Sequence, residues 1–435
     1  MHARLTGSLV TILSLAGLAP LPAIAESPSQ VRIVHEAGRY RLLVDGQPYV
    51  VKGAGMADGG QETLAARGGN SFRTWSTGTD EANVRAMLDR AQRNGLKVAM
   101  GIEVGNERHG FDYDDVAAVA KQRERIRREV RLYKDHPALL MWVAGNELNL
   151  HYRNPNVWNA IGDIADAIHA EDPHHPVMTT LAGFDRALID LLKARAPSLD
   201  LIGIQLYGDI GALPQKLVDS GWTGPYVVTE WGPTGHWESP LTAWKAPIED
   251  DASRKAALLR QRYEEVIAAD MKQGLGSYVF LWGDKQERTP TWYGLFLPTG
   301  ESTPSVDAME FVWTGRWPAN RAPSIQPLTL AGRTALESVV LKTGQATVAR
   351  VDAHDPDGDA LRFRWTMLPE STATSIGGDR EDVPPSLDVA MENDGEGGVR
   401  FVAPATPGAY RLFVEAHDGK GHAAYANVPF RVDPY

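Results

Sequence analysis

Between residues 30 and 318 the chain alternates two patterns. Short apolar runs, rich in β-branched residues, occupy 50–54, 70–75, 97–104, 139–145, 177–182, 201–207, 226–230 and 277–282. They are continuous rather than strictly alternating, the pattern of parallel strands buried on both faces. Segments of helical period lie between them, such as those at 81–94, 115–134, 156–171, 185–194 and 253–272. Eight such alternations predict an α/β fold, a (β/α)8 barrel. The alternative, a doubly wound open sheet, wants a glycine-rich phosphate loop after its first strand. Gly53-Ala54-Gly55-Met56-Ala57-Asp58 holds only part of one and opens no clear helix. Ahead of the first run, 39–51 reads as a hairpin with Asp45-Gly46 as its turn, placed to plug the barrel's bottom.

The pattern changes at 317–323, a segment with Pro318 and Pro323. Beyond it no long helical period appears. Short alternating runs at 348–351, 361–365, 399–402, 409–415 and 425–432 predict a small immunoglobulin-like β-sandwich. Stretches 377–385 and 392–398 read as mobile loops between them. The first residues differ again. A short basic start and an apolar stretch over 9–21 lead to Ala23-Ile24-Ala25, a small-x-small cleavage pattern. Pro20 and Pro22 interrupt that stretch, which is too short to span a bilayer. The expected organisation is a signal peptide over 1–25, the barrel with its hairpin over 26–318, and the all-β sandwich over 319–435. Such a protein is exported, to the periplasm or the extracellular space.

Composition narrows the chemistry. The chain of 435 residues carries a formal net charge of −11 and no long Lys/Arg run, so nucleic acid is not an expected partner. With no cysteine there is no disulfide, thiolate zinc site, iron–sulfur cluster or thiol nucleophile. The first strand run has no HxH pair, which disfavours the metal-dependent hydrolase barrels. No cofactor or metal is expected. Asp355-Pro356-Asp357-Gly358-Asp359 resembles a calcium loop, but position 12 is Thr366 rather than Glu, which excludes an EF-hand and favours a turn.

In a barrel of this kind, chemistry sits at the C-terminal ends of the strands. Arg73 falls in the second run, Glu103 at the end of the third, and Asn146-Glu147 at the end of the fourth. Tyr207 ends the sixth, Glu230-Trp231 the seventh and Trp282 the eighth. Two carboxylates facing one pocket suit cleavage of a glycosidic bond. The acetal needs a proton on its leaving oxygen and electron density at the anomeric carbon. Alternation along a strand puts Trp75 on the face of Arg73, toward the pocket, and turns Trp142 toward the helices. Trp231, Trp237, Trp244 and Trp292 are candidate platforms for the apolar faces of sugars. His236, Lys285 and Arg288 are candidate contacts beside them. Eleven of the twelve tryptophans precede residue 319, so the C-terminal module is expected to be mainly a spacer or support.

The segment His136-Pro137-Ala138-Leu139-Leu140-Met141-Trp142-Val143-Ala144-Gly145-Asn146-Glu147 resembles the fourth-strand Asn-Glu motif of the clan A retaining glycoside hydrolases. It looks closest to the barrel domains of family 2, with family 5 next, over roughly residues 36–315. The resemblance implies that Glu147 is the acid/base and Glu230 the nucleophile. It implies that Asn146 binds a sugar 2-hydroxyl, that Arg73 and Tyr207 hold the nucleophile, and that Trp282 floors the sugar site. The sandwich domains that precede a family 2 barrel are not seen ahead of the first strand. The arrangement is therefore more similar to an endo-acting or transglycosylating clan member. The C-terminal acidic stretch is similar to PKD-like and cadherin-like modules. The expected activity is a retaining β-glycosidase or transglycosylase on a polysaccharide or oligosaccharide, by analogy a β-glucan. A carbohydrate-binding barrel without activity, and an unrelated barrel enzyme, remain the alternatives; the esterase version lacks a GxSxG elbow.

Overall fold

The computed structural model describes residues 27–57 and 59–435. The signal peptide expected at 1–25 lies outside the described residues. Three antiparallel strands come first: β1 (Val31–Glu36), β2 (Arg39–Val44) and β3 (Gln47–Tyr49). Asp45 and Gly46 have φ of 51° and 78°. A two-residue hairpin turn that matches strand twist needs positive φ at both positions, and Asp-Gly tolerates it.

Eight parallel strands then close a barrel: β4 (Val51–Gly55), β5 (Ser71–Arg73), β6 (Lys97–Ile102), β7 (Leu139–Asn146), β8 (Val177–Ala182), β9 (Leu201–Gln205), β10 (Tyr226–Trp231) and β11 (Gly274–Val279). The last pairs with the first through Gly276↔Val51 to Val279↔Ala54. Around it lie α1 (Gln61–Ala66), α2 (Glu81–Arg93), α3 (Val116–Tyr133), α4 (Asn156–Glu171), α5 (Arg186–Arg195), α6 (Leu213–Ser220), α7 (Ala252–Arg262) and α8 (Pro304–Thr314). Asp80, Asp115, Asp185 and Asp251 cap α2, α3, α5 and α7, each accepting a first-turn N–H. The long helix expected at 253–272 is α7 followed by one π turn, Tyr263–Ile267. Among the described residues no helix is long and apolar enough to cross a membrane.

The barrel is packed in two layers. Outside, Trp142, Trp158, Ile161, Ile204 and Trp231 join strands to helices. Inside and toward the bottom, Val31, Leu42 and Val44 of the hairpin pack with Val51, Met141, Met178 and Tyr278. The hairpin thus fills the end of the barrel opposite the strands' C-termini and leaves only the other end open for chemistry.

Beyond residue 323 two four-stranded sheets share one apolar core that includes Leu341, Val399, Leu412, Val414 and Phe430. Their pairings are antiparallel except Val340–Lys342, which runs parallel to the end of Ala423–Asp433. The acidic stretch is a turn in which Asp355 Oδ1 accepts the N–H groups of Asp357 and Asp359. Asp355, Asp359 and Asp418 gather there, and Lys420 Nζ lies 2.6 Å from Asp359.

One buried cation ties the sheets to the barrel. Lys255 on α7 donates to Glu249 at 2.5 Å, to the carbonyls of Thr291 and Trp292, and to the Tyr425 hydroxyl at 3.2 Å. Replacing it, Lys255→Met, strands the buried Glu249 carboxylate. The expected loss is about 3–5 kcal/mol of unfolding free energy, measured by urea denaturation. A change below about 1 kcal/mol contradicts this role.

Candidate active site

The open end of the barrel holds a cavity of about 920 Å3. Asn146, Glu147, Tyr207, Glu230, Trp75 and His236 line it, as the sequence reading expects. Arg73 lies beneath them, with no exposed surface.

Glu230 sits at the end of β10 in a fixed cradle. Its Oε1 accepts from Arg73 Nη1 at 2.7 Å and from Trp75 Nε1 at 2.8 Å. Its Oε2 accepts from the Tyr207 hydroxyl at 3.2 Å. Burial, reinforced by the charge of Glu230, holds the Tyr207 phenol well above its ordinary pKa, so it stays a donor. Arg73 is further fixed by the Thr229 carbonyl at 3.2 Å and stacks over Trp75. These donors orient one carboxylate and leave it an acceptor.

Asn146 has its amide direction dictated. Arg73 Nη2, the Thr180 hydroxyl (3.1 Å) and Gln205 Nε2 (2.9 Å) all converge on its Oδ1. Two of them can only donate, so the oxygen must face them, and the amide NH2 remains to donate elsewhere.

Glu147 is the contrasting carboxyl. It lies two residues after Gly145 (φ 78°) and itself has φ 50°. The register of β7 against β8 shifts between Val143 and Asn146. Such an irregularity re-aims a strand's last side chains, and a non-glycine residue at positive φ costs on the order of 1–3 kcal/mol. The backbone N–H of Glu147 is held by the Thr180 carbonyl at 3.2 Å. Only 9% of the residue is exposed. Burial first, and then the charge of Glu230, raise its pKa to about 8, against the opposing pull of Arg73. Near neutral pH it is a proton donor facing an acceptor carboxylate.

Around this pair the walls are aromatic and acidic. Tyr207, Phe280 and Tyr293 pack edge to face, with ring centroids 5.6–6.2 Å apart. Trp237 meets Tyr207 at 5.4 Å and keeps 59% of its surface exposed over the cavity. His236 Nδ1 lies 3.0 Å from the Tyr293 hydroxyl. Burial, with the nearby Arg288 charge, lowers its pKa to about 4, so it is a neutral ring. Glu238 accepts the N–H groups of Gly208 and Asp209 and of Gly235, which ties the loops after β9 and β10 together.

Several expected site residues lie elsewhere. Trp231 is fully buried against Tyr263, because it is the last residue of β10 and faces opposite to Glu230. Trp282 is 3% exposed, packs on Phe296 and Trp313, and donates to Thr63 Oγ1 at 3.1 Å. β11 ends at Val279, earlier than the run suggests, and Phe280 lines the cavity instead. Glu103 is exposed and does not line the cavity. Trp292 is buried, with its N–H on the Thr234 carbonyl at 2.9 Å. The sequence reading passed over Gln205, Glu238, Phe280, Glu287 and Tyr293, which do line it. Gln205 shares the face of Tyr207 two residues on, so strand alternation contained that signal.

No protein-family model matches the chain, and no curated protein sequence matches it. Solved structures do. A β-glucuronidase of Bifidobacterium dentium complexed with coumarin-3-O-glucuronide superposes with TM-score 0.51 at 17% identity, over 66% of this chain and 49% of its own. The Bacteroides uniformis β-glucuronidase 2 gives TM-score 0.51 at 14% identity, over 93% and 48%. A β-D-glucuronidase of Dictyoglomus thermophilum gives 0.50 at 16% identity, over 66% and 54%. The chain spans about half the length of each. At this identity the likeness establishes the fold, a closed eight-stranded barrel with β-sheets beside it.

The electrostatic coupling is open to direct titration. In Glu230→Gln the repulsive charge is gone, and the Glu147 midpoint falls below about 8 while staying above the ordinary carboxyl range, because burial persists. Carboxyl-carbon NMR of glutamate-labelled protein reads the shift. An unchanged midpoint means burial alone sets it.

Proposed function

We propose that the protein is a retaining β-glycoside hydrolase that works by double displacement. The observation that carries this reading is the pairing of a protonated, buried Glu147 with a donor-clamped Glu230 in one cavity. Environments that push two carboxyls apart assign acid and base roles. Glu147 gives its proton to the glycosidic oxygen as the bond to the anomeric carbon breaks. Glu230 forms a bond to that carbon, and the leaving group departs as an alcohol. The glycosyl ester has no charge on Glu230, so Glu147 ionises more readily and takes a proton from water. The resulting hydroxide attacks the anomeric carbon and releases Glu230. A sugar hydroxyl in place of water gives transglycosylation with the same residues. The free Asn146 amide donates to the sugar 2-hydroxyl, and the exposed faces of Trp237 and Ile376 meet its C–H surfaces.

The substrate we infer is a neutral sugar, with β-glucan oligosaccharides first in the panel. Among the described residues that line the cavity, Asp209, Glu230, Glu238, Asp284 and Glu287 are acids besides Glu147, which keeps its proton near neutral pH. Lys285 is the lining cation, and it lies 2.7 Å from Glu287. That balance repels a uronate, so the glucuronide named for the structural neighbours does not transfer to this chain. Export of the protein is proposed from residues 1–25.

On a β-glycoside panel, Glu147→Gln lowers kcat/KM by about 10²–10⁴-fold. Glu230→Gln lowers it on the order of 10⁴-fold or more. Near-full activity in either variant sinks the assignment. NMR of the first-formed product shows the retained anomer; the inverted anomer excludes Glu230 as nucleophile. Activity of the wild type falls as pH rises through about 8, where Glu147 loses its proton. A profile flat from neutrality to well above that value assigns the acid elsewhere.

A further inference from the structure

The C-terminal module reaches the cavity. Ile376, Gly377 and Gly378 line it, although they belong to the connection after Arg362–Pro369, far from the barrel in sequence. This connection is fastened at both sides of the barrel mouth. On one side Arg108, in the loop after β6, pairs with Asp379 at 2.8 Å and donates to the Ile376 carbonyl at 3.2 Å. Gly377 abuts Leu150, in the loop after β7; a Cβ there would lie 2.8 Å from the leucine side chain. On the other side the loop after β11 takes over. Lys285 donates to the Gly378 carbonyl at 3.0 Å, and Arg288 pairs with the buried Glu381 at 2.8 Å and bonds the Ser375 carbonyl at 2.9 Å. In the ring of eight strands β7 and β11 are four apart, hence diametrically opposite. Residues 371–381 start on the β11 side, where Arg288 holds the Ala373 and Ser375 carbonyls, reach Arg108 with 376–379 and return to Arg288 at Glu381, and so lie over the mouth as a strap.

The strap also separates two spaces. Ser371 to Thr374 border a second cavity of about 880 Å3, between the barrel and the sheets, lined by Trp244 and Tyr410. His236 borders both cavities.

We propose that residues 371–381 are a specificity-determining part of the substrate site. They bound the catalytic cavity and restrict it to the end of a glycan chain or to a short oligosaccharide. This inference rests on the glycosidase reading above. It takes the C-terminal module from a spacer to a wall of the site, with Ile376 as its apolar contact and the Arg108–Asp379 and Arg288–Glu381 pairs as its fasteners. An open cleft that accepts the middle of a polysaccharide is the opposite expectation.

The experiment compares wild type with two variants. In one, 375–380 is replaced by a Gly-Ser segment of equal length. In the other, Ile376→Ala is combined with Asp379→Ala, two side chains outside both apolar cores, so folding is preserved. Hydrolysis of an aryl β-glycoside is set against that of short and long β-glucan oligosaccharides, with products sized by mass spectrometry. Wild type releases small products from one end. In the variants kcat/KM on long chains rises on the order of tenfold relative to the aryl glycoside, with mid-chain products. An unchanged ratio and product pattern in both variants overturns the proposal. Binding of the same glycans to Glu230→Gln protein, with and without the strap changes, is read by tryptophan fluorescence. If wild type cleaves nothing but the strap changes alter the chain-length dependence of binding, the hydrolase reading falls and the strap stands. If neither protein binds any glycan, both fall.

Discussion

Two carboxyl groups share one low-dielectric cavity, and one buried arginine sits beneath them. That constraint organises the site. Arg73 bonds both Glu230 and Asn146, and stacks on the Trp75 that also donates to Glu230. Arg73, with its charge committed to Glu230, only partly offsets the burial of Glu147, whose proton is retained. Coulomb energy between close charges rises several-fold as the effective dielectric falls from that of water to that of a protein. The same burial that makes an acid of Glu147 therefore makes it sensitive to whether Glu230 is charged.

The barrel supplies what this arrangement needs. Closed strands hold Arg73, Asn146, Tyr207 and Glu230 at fixed ends, so the clamp on Glu230 costs little ordering when a ligand arrives. The hairpin below fills the other end of the barrel with apolar side chains. Strain at Glu147, in the left-handed region after a slipped register, is retained where the acid is aimed. The loops above are pinned by Glu238 and by the strap. Sheets that pack beside the barrel through Lys255 and Tyr425 place that strap over the mouth.

Much of this was legible in residue order. Continuous apolar runs located the barrel strands to within a few residues, and polar residues at their ends named the clamp and the pair. What failed did so for local reasons. Trp231 is expected as a sugar platform, though its position next to Glu230 in an extending strand turns it to the helices. Trp282 is expected in the site because its run is set three residues too far along the chain; β11 spans Gly274–Val279, and Phe280 lines the cavity. The α6 and α8 helices are short and open near prolines, which hides their period. Glu287, Tyr293 and the strap stand on irregular segments. Tertiary ion pairs such as Arg288–Glu381 determine where those segments lie, and no periodicity encodes them.

The proposed function turns on Glu230 as the nucleophile that bonds the anomeric carbon. Incubation with a panel of 2-deoxy-2-fluoro β-glycosyl fluorides, followed by proteolysis and mass spectrometry, tests it most directly. The account predicts a stable glycosyl adduct on the peptide that contains Glu230, at Glu230 itself. An adduct on Glu147 or on another residue, or turnover of the same sugars with no adduct on any peptide, contradicts it.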